Sequence, residues 1–373
     1  MKNLLLLSLL ATTAFANTYD GAVEIRRSNA SSIKLFDNLD AANNYNSNLA
    51  FSPLSSYIAM RMAQYGAGMF TKTYDEILGV FTGVVAFENI KRDELLVVNA
   101  AFWHEATTLK PDYIAVLKDR FHASAQTLDF SQPEPVRATI NAWVAEQTRD
   151  KIRDLLPPNS LTRDSRLVLV NALYFNDDWR MPFEPNNTRG RAFNSASGVP
   201  REIPFMHQTA RFNYAETGNV QILQLPYKNG CVMSLYLPRG NDLAPAFALL
   251  GKDLAPDFKP ARVNVALPKF KIEWQGSLKS ALQELGIREA FTPDADFSRI
   301  TADEKLFITD VIQAVFIEVD ERGTEAAAAT GMVFGVTSID LNPPIEFTAD
   351  RPFLFTLSSP DKTLLFTGVV REL

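Results

Sequence analysis

Apolar positions along the chain alternate between helical and strand periods. From Thr139 to Leu156, Ile140, Trp143, Val144, Ile152 and Leu155 recur at three- and four-residue spacings before Pro157-Pro158 stops the run, which predicts an amphipathic helix. The next stretch, Leu167 to Phe175, is apolar apart from Asn171, the pattern of a strand covered on both faces, at the centre of a sheet. Val263, Val265 and Leu267 alternate with polar neighbours and predict a half-covered strand, while Leu278, Leu282 and Leu285 predict a helix ended by Gly286. Leu306 to Val319 is β-branched, aromatic and free of Gly and Pro, so it predicts a long strand. Phe353–Leu357 and Thr363–Val370, separated by Ser358-Ser359-Pro360-Asp361-Lys362, predict a closing hairpin. No internal repeat is visible, and the mixture predicts large antiparallel or mixed sheets with helices.

Composition refines this picture. The 373 residues are 46% apolar, with no low-complexity linker, which predicts one large domain. Residues 1–16 carry Lys2, an apolar run from Leu4 to Leu10 and Ala14-Phe15-Ala16, the features of a signal peptide; the run is far short of the roughly 20 residues a membrane span needs. The expected product is a secreted, extracellular chain of residues 17–373 that uses neither membrane nor cofactor. Without Lys2 there are 36 basic against 43 acidic side chains, a net charge of −7 with no block of like charge, which argues against nucleic acid as a partner. One cysteine, Cys231, excludes an internal disulfide, and its apolar surroundings predict a buried structural thiol. Asn29 and Asn186 each open an Asn-x-Ser/Thr acceptor. His104, His122 and His207 lack a nucleophile elbow or metal-ligand spacing, so neither an enzyme nor a metal site is predicted.

The segment after Asp320 breaks the pattern. Glu321-Arg322-Gly323-Thr324-Glu325 leads into Ala326-Ala327-Ala328-Ala329-Thr330-Gly331, and no helical apolar face accompanies the alanines. About twenty-five residues without a clear element are uncommon in a compact domain and are usually functional or disordered. As a strand, the segment would put Thr324, Ala326, Ala328, Thr330 and Met332 on one face, small enough to enter between two existing strands. A dozen new backbone hydrogen bonds at roughly 0.5–1.5 kcal/mol each would release on the order of 10 kcal/mol. Such a loop could store the energy of a conformational change.

Gly323 to Thr330 resembles the hinge of inhibitory serpins. The similarity spans nearly the whole chain after residue 16, through Phe51-Ser52-Pro53-Leu54-Ser55, Ile140-Asn141-Ala142-Trp143-Val144, Leu169 to Phe175 with Trp179, Leu267-Pro268-Lys269-Phe270, Phe316-Ile317-Glu318-Val319 and Asp350 to Phe355. The resemblance implies an α+β serpin fold of three β-sheets and about eight or nine helices, with an exposed reactive-centre loop at about 321–346. It implies a monomer that acts as a suicide substrate: a serine protease acylates itself on the loop and forms a covalent complex, and the cleaved loop then inserts into the main sheet. The hinge is then Gly323, Thr324, Glu325, Ala326, Ala327, Ala328, Ala329 and Thr330, with Gly323 supplying backbone freedom at the turn. The polar residues under the opening sheet are Ser52, Ser55, Asn171 and Gln313, and Trp179 lies at the breach.

Counting from Gly323 places the scissile bond at Thr337-Ser338, with Val336-Thr337, Ser338-Ile339 and Phe334 as alternatives. No Lys or Arg lies between Thr324 and Glu346, which disfavours a trypsin-like target and suits an elastase- or chymotrypsin-like one. Lys91-Arg92 alone in Gly79–Leu96 argues against a heparin site. Gln313 stands where many relatives have histidine, and Arg322 where an acidic residue is commoner. A non-inhibitory carrier, storage protein or chaperone of the same fold is the alternative, with the hinge sequence as the local feature against it.

Overall fold

The computed structural model describes residues 21–82, 95–250, 257–324 and 343–373. Among these, seven α-helices are α1 (Gly21–Ala42), α2 (Pro53–Gly66), α3 (Lys72–Val80), α4 (Pro111–Phe121), α5 (Pro133–Gln147), α6 (Ala244–Leu250) and α7 (Lys279–Glu284), with 3-10 turns at Pro185–Asn187 and Glu289–Phe291. The strands, numbered in chain order, form three sheets. The largest runs β1 (Leu49–Phe51), β16 (Leu364–Val370), β15 (Phe353–Ser358), β9 (Val232–Pro238), β8 (Val220–Pro226), β7 (Pro200–Thr217), β10 (Lys259–Pro268) and β14 (Ile345–Thr348), with β6 (Arg189–Asn194) on β7. A second runs β3 (Ser124–Leu128), β2 (Leu95–His104), β4 (Leu167–Phe175). A third runs β11 (Phe270–Ser277), β12 (Ile312–Val319), β13 (Gly323–Thr324), β5 (Asp177–Asp178). The β15–β16 hairpin, β10, and α7 with Gly286 at φ +109° lie where the pattern places them.

Three departures bear on function. The helix expected over 139–156 starts earlier, with Pro133 in its first turn, and ends at Gln147 because Arg149 and Asp150 take positive φ. Ile152 and Leu155 nonetheless fill the same core as Ile140 and Val144, between α5 and the outer face of β2 and β4, so one periodicity spans a helix and the strap that follows it. The strand expected over 306–319 forms a ladder only from Ile312; in residues 306–311, Ile308 N donates to Ala290 O and Val311 O accepts from Leu278 N, single bonds to other segments.

The third departure is the most consequential. β4 has the sequence of a central strand, yet among the described residues it pairs with β2 alone. Its other edge faces the sheet of β12, and among the described residues those two sheets join only where β4 leads through Asn176 into β5. At the far end of this seam a cavity of about 130 Å³ lies between Leu167–Val170 and Leu306–Ile312, floored by Ala59, Met60 and Ala63 of α2. A strand of continuous apolar composition is suited to a neighbouring strand on each side.

Candidate functional site

At the top of the seam the hinge has already started a strand. Asp320 N donates to Gly323 O at 3.0 Å and Asp320 Oδ1 accepts from Arg322 N at 2.8 Å, closing a tight hairpin that turns β12 back on itself. Thr324 then pairs with Val319 on one side and Asp177 on the other, so β13 is wedged between β12 and β5. A Cβ on Gly323 would lie 2.0 Å from Asp177 O and 2.8 Å from Asp178 Cα. Gly323 does not take a left-handed φ, so its lack of a side chain here serves close backbone approach rather than the turning freedom expected from sequence.

Side chains hold this wedge from three directions. Trp179 is buried, donates Nε1–H to Asp320 O at 3.0 Å and stacks on Tyr227 with ring centroids 4.2 Å apart. The Tyr227 hydroxyl lies 2.6 Å from Thr324 Oγ1, and its burial raises the phenol pKa well above the ordinary value, so it stays a neutral hydrogen-bonding group. Glu321 accepts from Thr188 Oγ1 at 2.7 Å and from Lys269 Nζ at 2.8 Å. Burial alone would raise the Glu321 pKa, but the bonds from Lys269 and Thr188 outweigh it and hold the carboxylate below its usual range. Arg322 lies 3.6 Å from Asp178, which also binds Lys228 at 2.6 Å, so a chain of alternating charge crosses the hairpin.

The middle of the seam is underlaid by buried polar groups. Ser52 caps α2 by accepting from Ser55 N, and its own hydroxyl donates to Leu365 O at 2.8 Å. Gln313 of β12 clasps this cap: its Oε1 accepts from Ser52 N at 2.8 Å, and its Nε2 donates to Ser52 O at 3.0 Å and Ser56 Oγ at 3.2 Å. Ser55 Oγ donates to Asn171 O, and Asn171 Nδ2 donates to Asn99 Oδ1 across β4 and β2. The buried Asn171 Oδ1 has no hydrogen-bond partner among the described residues. Gln313→Leu would strip three buried partners at once, so a loss of about 1–3 kcal/mol in chemical denaturation is expected. Gln313 does not titrate, so no acid-sensitive transition should arise at this position.

Ser52, Ser55, Asn171 and Gln313 therefore gather under one seam, and Gly323, Thr324 and Trp179 gather at its head. Glu325 to Thr330 and the proposed bond Thr337-Ser338 lie outside the described residues, as does the segment 1–16. The sequence reading missed Tyr227, Lys269 and Thr188 as partners of the hinge. Lys269 and Thr188 are 52 and 133 positions from Glu321, beyond any local pattern. His104 lies on β2, His207 on β7 and His122 just after α4, and no described group of three or more His, Cys, Asp or Glu could hold a metal.

Comparison with known proteins agrees with this architecture. The profile of the family described as serpin (serine protease inhibitor) matches residues 26–373. An uncharacterized serpin-like protein of Methanosarcina acetivorans is 33% identical over 383 aligned residues, covering 95% of this chain and 88% of the relative. Antichymotrypsin-2 of Bombyx mori is 32% identical, covering 75% of this chain and 77% of the relative. Among solved structures, Serpin48 of the insect Tenebrio molitor superposes with a TM-score of 0.85 at 29% identity, covering 96% of this chain and 100% of that one.

Proposed function

The chain belongs to the serpin family, and from that premise we propose that it inhibits a serine protease of elastase- or chymotrypsin-like specificity as a suicide substrate. The observation that carries this reading is the hinge hairpin that has begun to enter the seam beside β4, which among the described residues pairs with β2 alone. Continued downward, β13 would pair with β4 and β12 on both sides, and the unmet Asn171 Oδ1 lies in the polar layer along that path. The protease serine attacks the Thr337 carbonyl, the amine of Ser338 leaves, and an ester joins the protease to Thr337. Insertion of the freed segment then carries the enzyme away before water can cleave that ester.

Mixing the protein with elastase-, chymotrypsin- and trypsin-like proteases should give an SDS-resistant covalent complex with one of the first two. The released C-terminal fragment should begin at Ser338. Cleavage by all three with no complex would overturn the inhibitory reading, and a different new N-terminus would overturn the bond assignment.

The same reading includes secretion of residues 17–373 as a monomer. Of the two glycan acceptors, Asn186 stands exposed in the Pro185–Asn187 turn. Asn29 lies within α1, where its Nδ2 donates to Lys362 O at 2.9 Å and its Oδ1 accepts from Leu364 N at 3.1 Å. Expression in a glycosylating host should therefore attach glycan at Asn186. Asn186→Gln should abolish the mobility shift and Asn29→Gln should leave it.

A further inference from the structure

The register of the hinge fixes where a trapped enzyme comes to rest. Thr324 pairs with Val319 of β12 and with Asp177 of β5, antiparallel to both. Under the inhibitory reading above, on which the proposal rests, that strand continues down the seam at the same register. Each further residue along it then stands opposite the preceding residue of β12. Thr337, thirteen residues past Thr324, meets Leu306, thirteen before Val319. On the other side, the count from Asp177 brings Thr337 opposite Asp164. Leu306 and Asp164 both line the cavity at the far end of the seam, so the two registers agree on one place. At about 3.3 Å per residue, it lies about 43 Å along the strand from Thr324.

Exposed apolar side chains stand at that end. Among the described residues five large apolar side chains are exposed, and three of them are Met69, Phe70 and Phe307. Phe307 follows Leu306 in the cavity wall. Met69 and Phe70 form the tip of the turn between α2 and α3, and that turn is anchored beside the same cavity. Gly68 N donates to Asp296 O and Arg299 N donates to Gly66 O, both at 3.1 Å, while Phe297 and Ile300 of the same segment line the cavity. At the other end of the turn, Thr71 Oγ1 donates to Gly68 O at 2.7 Å and accepts from Tyr74 N. Phe70 is 87% exposed and takes φ +63°, a left-handed conformation that a bulky side chain disfavours. A scattered exposed apolar residue calls for no explanation, but an adjacent Met-Phe pair held out on a braced and strained turn does. Both residue types are favoured in the cores of protein interfaces.

We propose that Met69 and Phe70 are an apolar contact for the acylated protease, made only after the loop has inserted, which holds the trapped enzyme against the foot of the seam. An enzyme domain of about 250 residues has a radius of gyration of about 18 Å. One joined by its ester opposite Leu306 therefore reaches the turn, whose anchor Asp296 is one residue from the cavity wall. Before insertion the bond belongs to a segment that leaves the fold at Thr324 and returns at Ile345, so the pair plays no part in the first encounter. It acts instead on the lifetime of the complex. The complex ends when water adds to the Thr337 ester, the protease serine leaves with its proton restored, and Thr337 keeps the carboxylate. An enzyme held at the foot of the seam stays distorted, and that hydrolysis slows.

A photo-crosslinking side chain, p-benzoylphenylalanine in place of Phe70 in the full chain, tests the contact. Irradiating the covalent complex with an elastase- or chymotrypsin-like protease should give a crosslink that survives alkaline cleavage of the ester. The same protease inactivated at its catalytic serine should give none. The double variant Met69→Ser/Phe70→Asn, in which Asn suits the left-handed φ, should keep or raise the melting temperature. It should form complex at the parental second-order rate and release active enzyme about tenfold faster, as the loss of one well-buried apolar contact predicts. A complex without the crosslink, an equal crosslink to the inactivated enzyme, or unchanged release would overturn the contact. A crosslink between two copies of the chain without protease would assign the turn to self-association and overturn it too. Cleavage of the loop with no complex would overturn the inhibitory reading, and the contact with it.

Discussion

Gly323→Ala should turn the protein from a trap towards a substrate. The added Cβ would meet Asp177 O at 2.0 Å and Asp178 Cα at 2.8 Å, and both neighbours are backbone, so no side chain can swing aside. β13 would have to part from β5, losing the Gly323–Asp178 and Thr324–Asp177 pairs that begin the new strand. A penalty of only ~1.4 kcal/mol on the insertion step slows it tenfold, while hydrolysis of the acyl-enzyme continues at its own rate. The ratio of cleaved protein to covalent complex, read from a gel at fixed protease, should rise at least about tenfold. An unchanged ratio would show that β13 need not lie against β5 during trapping.

Glu321→Lys should have the largest effect on stability. The substitution removes the bonds to Lys269 and Thr188 and places a second cation against Lys269, at a position where the native side chain is only 12% exposed. The cost expected is about 2–4 kcal/mol, a fall in melting temperature on the order of 3–5 °C. Because Glu321 holds together the hairpin from which the loop departs, the variant should also open the seam at rest and associate on mild heating. The pH dependence follows from the depressed pKa. Its stabilisation is complete above the ordinary value of 4.5 and disappears as pH falls through the lower folded value. Glu321→Gln should flatten that acid limb, which thermal melts between neutral pH and pH 3 would show.

The pattern of apolar residues disclosed most elements but not their limits. β15, β16, β10 and α7 were legible because their periods coincide with ladders or helical turns. The helix over 139–156 was drawn too long because burial continues past Gln147 after the backbone has left the helix. β4 was legible as a strand, but its expected place at the centre of a sheet was not met among the described residues, where it ends the order β3-β2-β4. Within the candidate site, the hinge stood out because it broke local rules. Its supports did not: Tyr227, Lys269 and Thr188 are ordinary residues in ordinary strands and turns, brought to Thr324 and Glu321 only by the folded sheets.

The most direct test of strand insertion between β4 and β12 is the thermal stability of the protein after its loop has been cut once by a protease that is not trapped. A dozen new backbone hydrogen bonds along β4 and β12 would add on the order of 10 kcal/mol, so the melting temperature of the cleaved protein should rise by roughly 13 °C. An unchanged or lower melting temperature after complete cleavage would mean that the seam does not accept the loop, and would contradict the account.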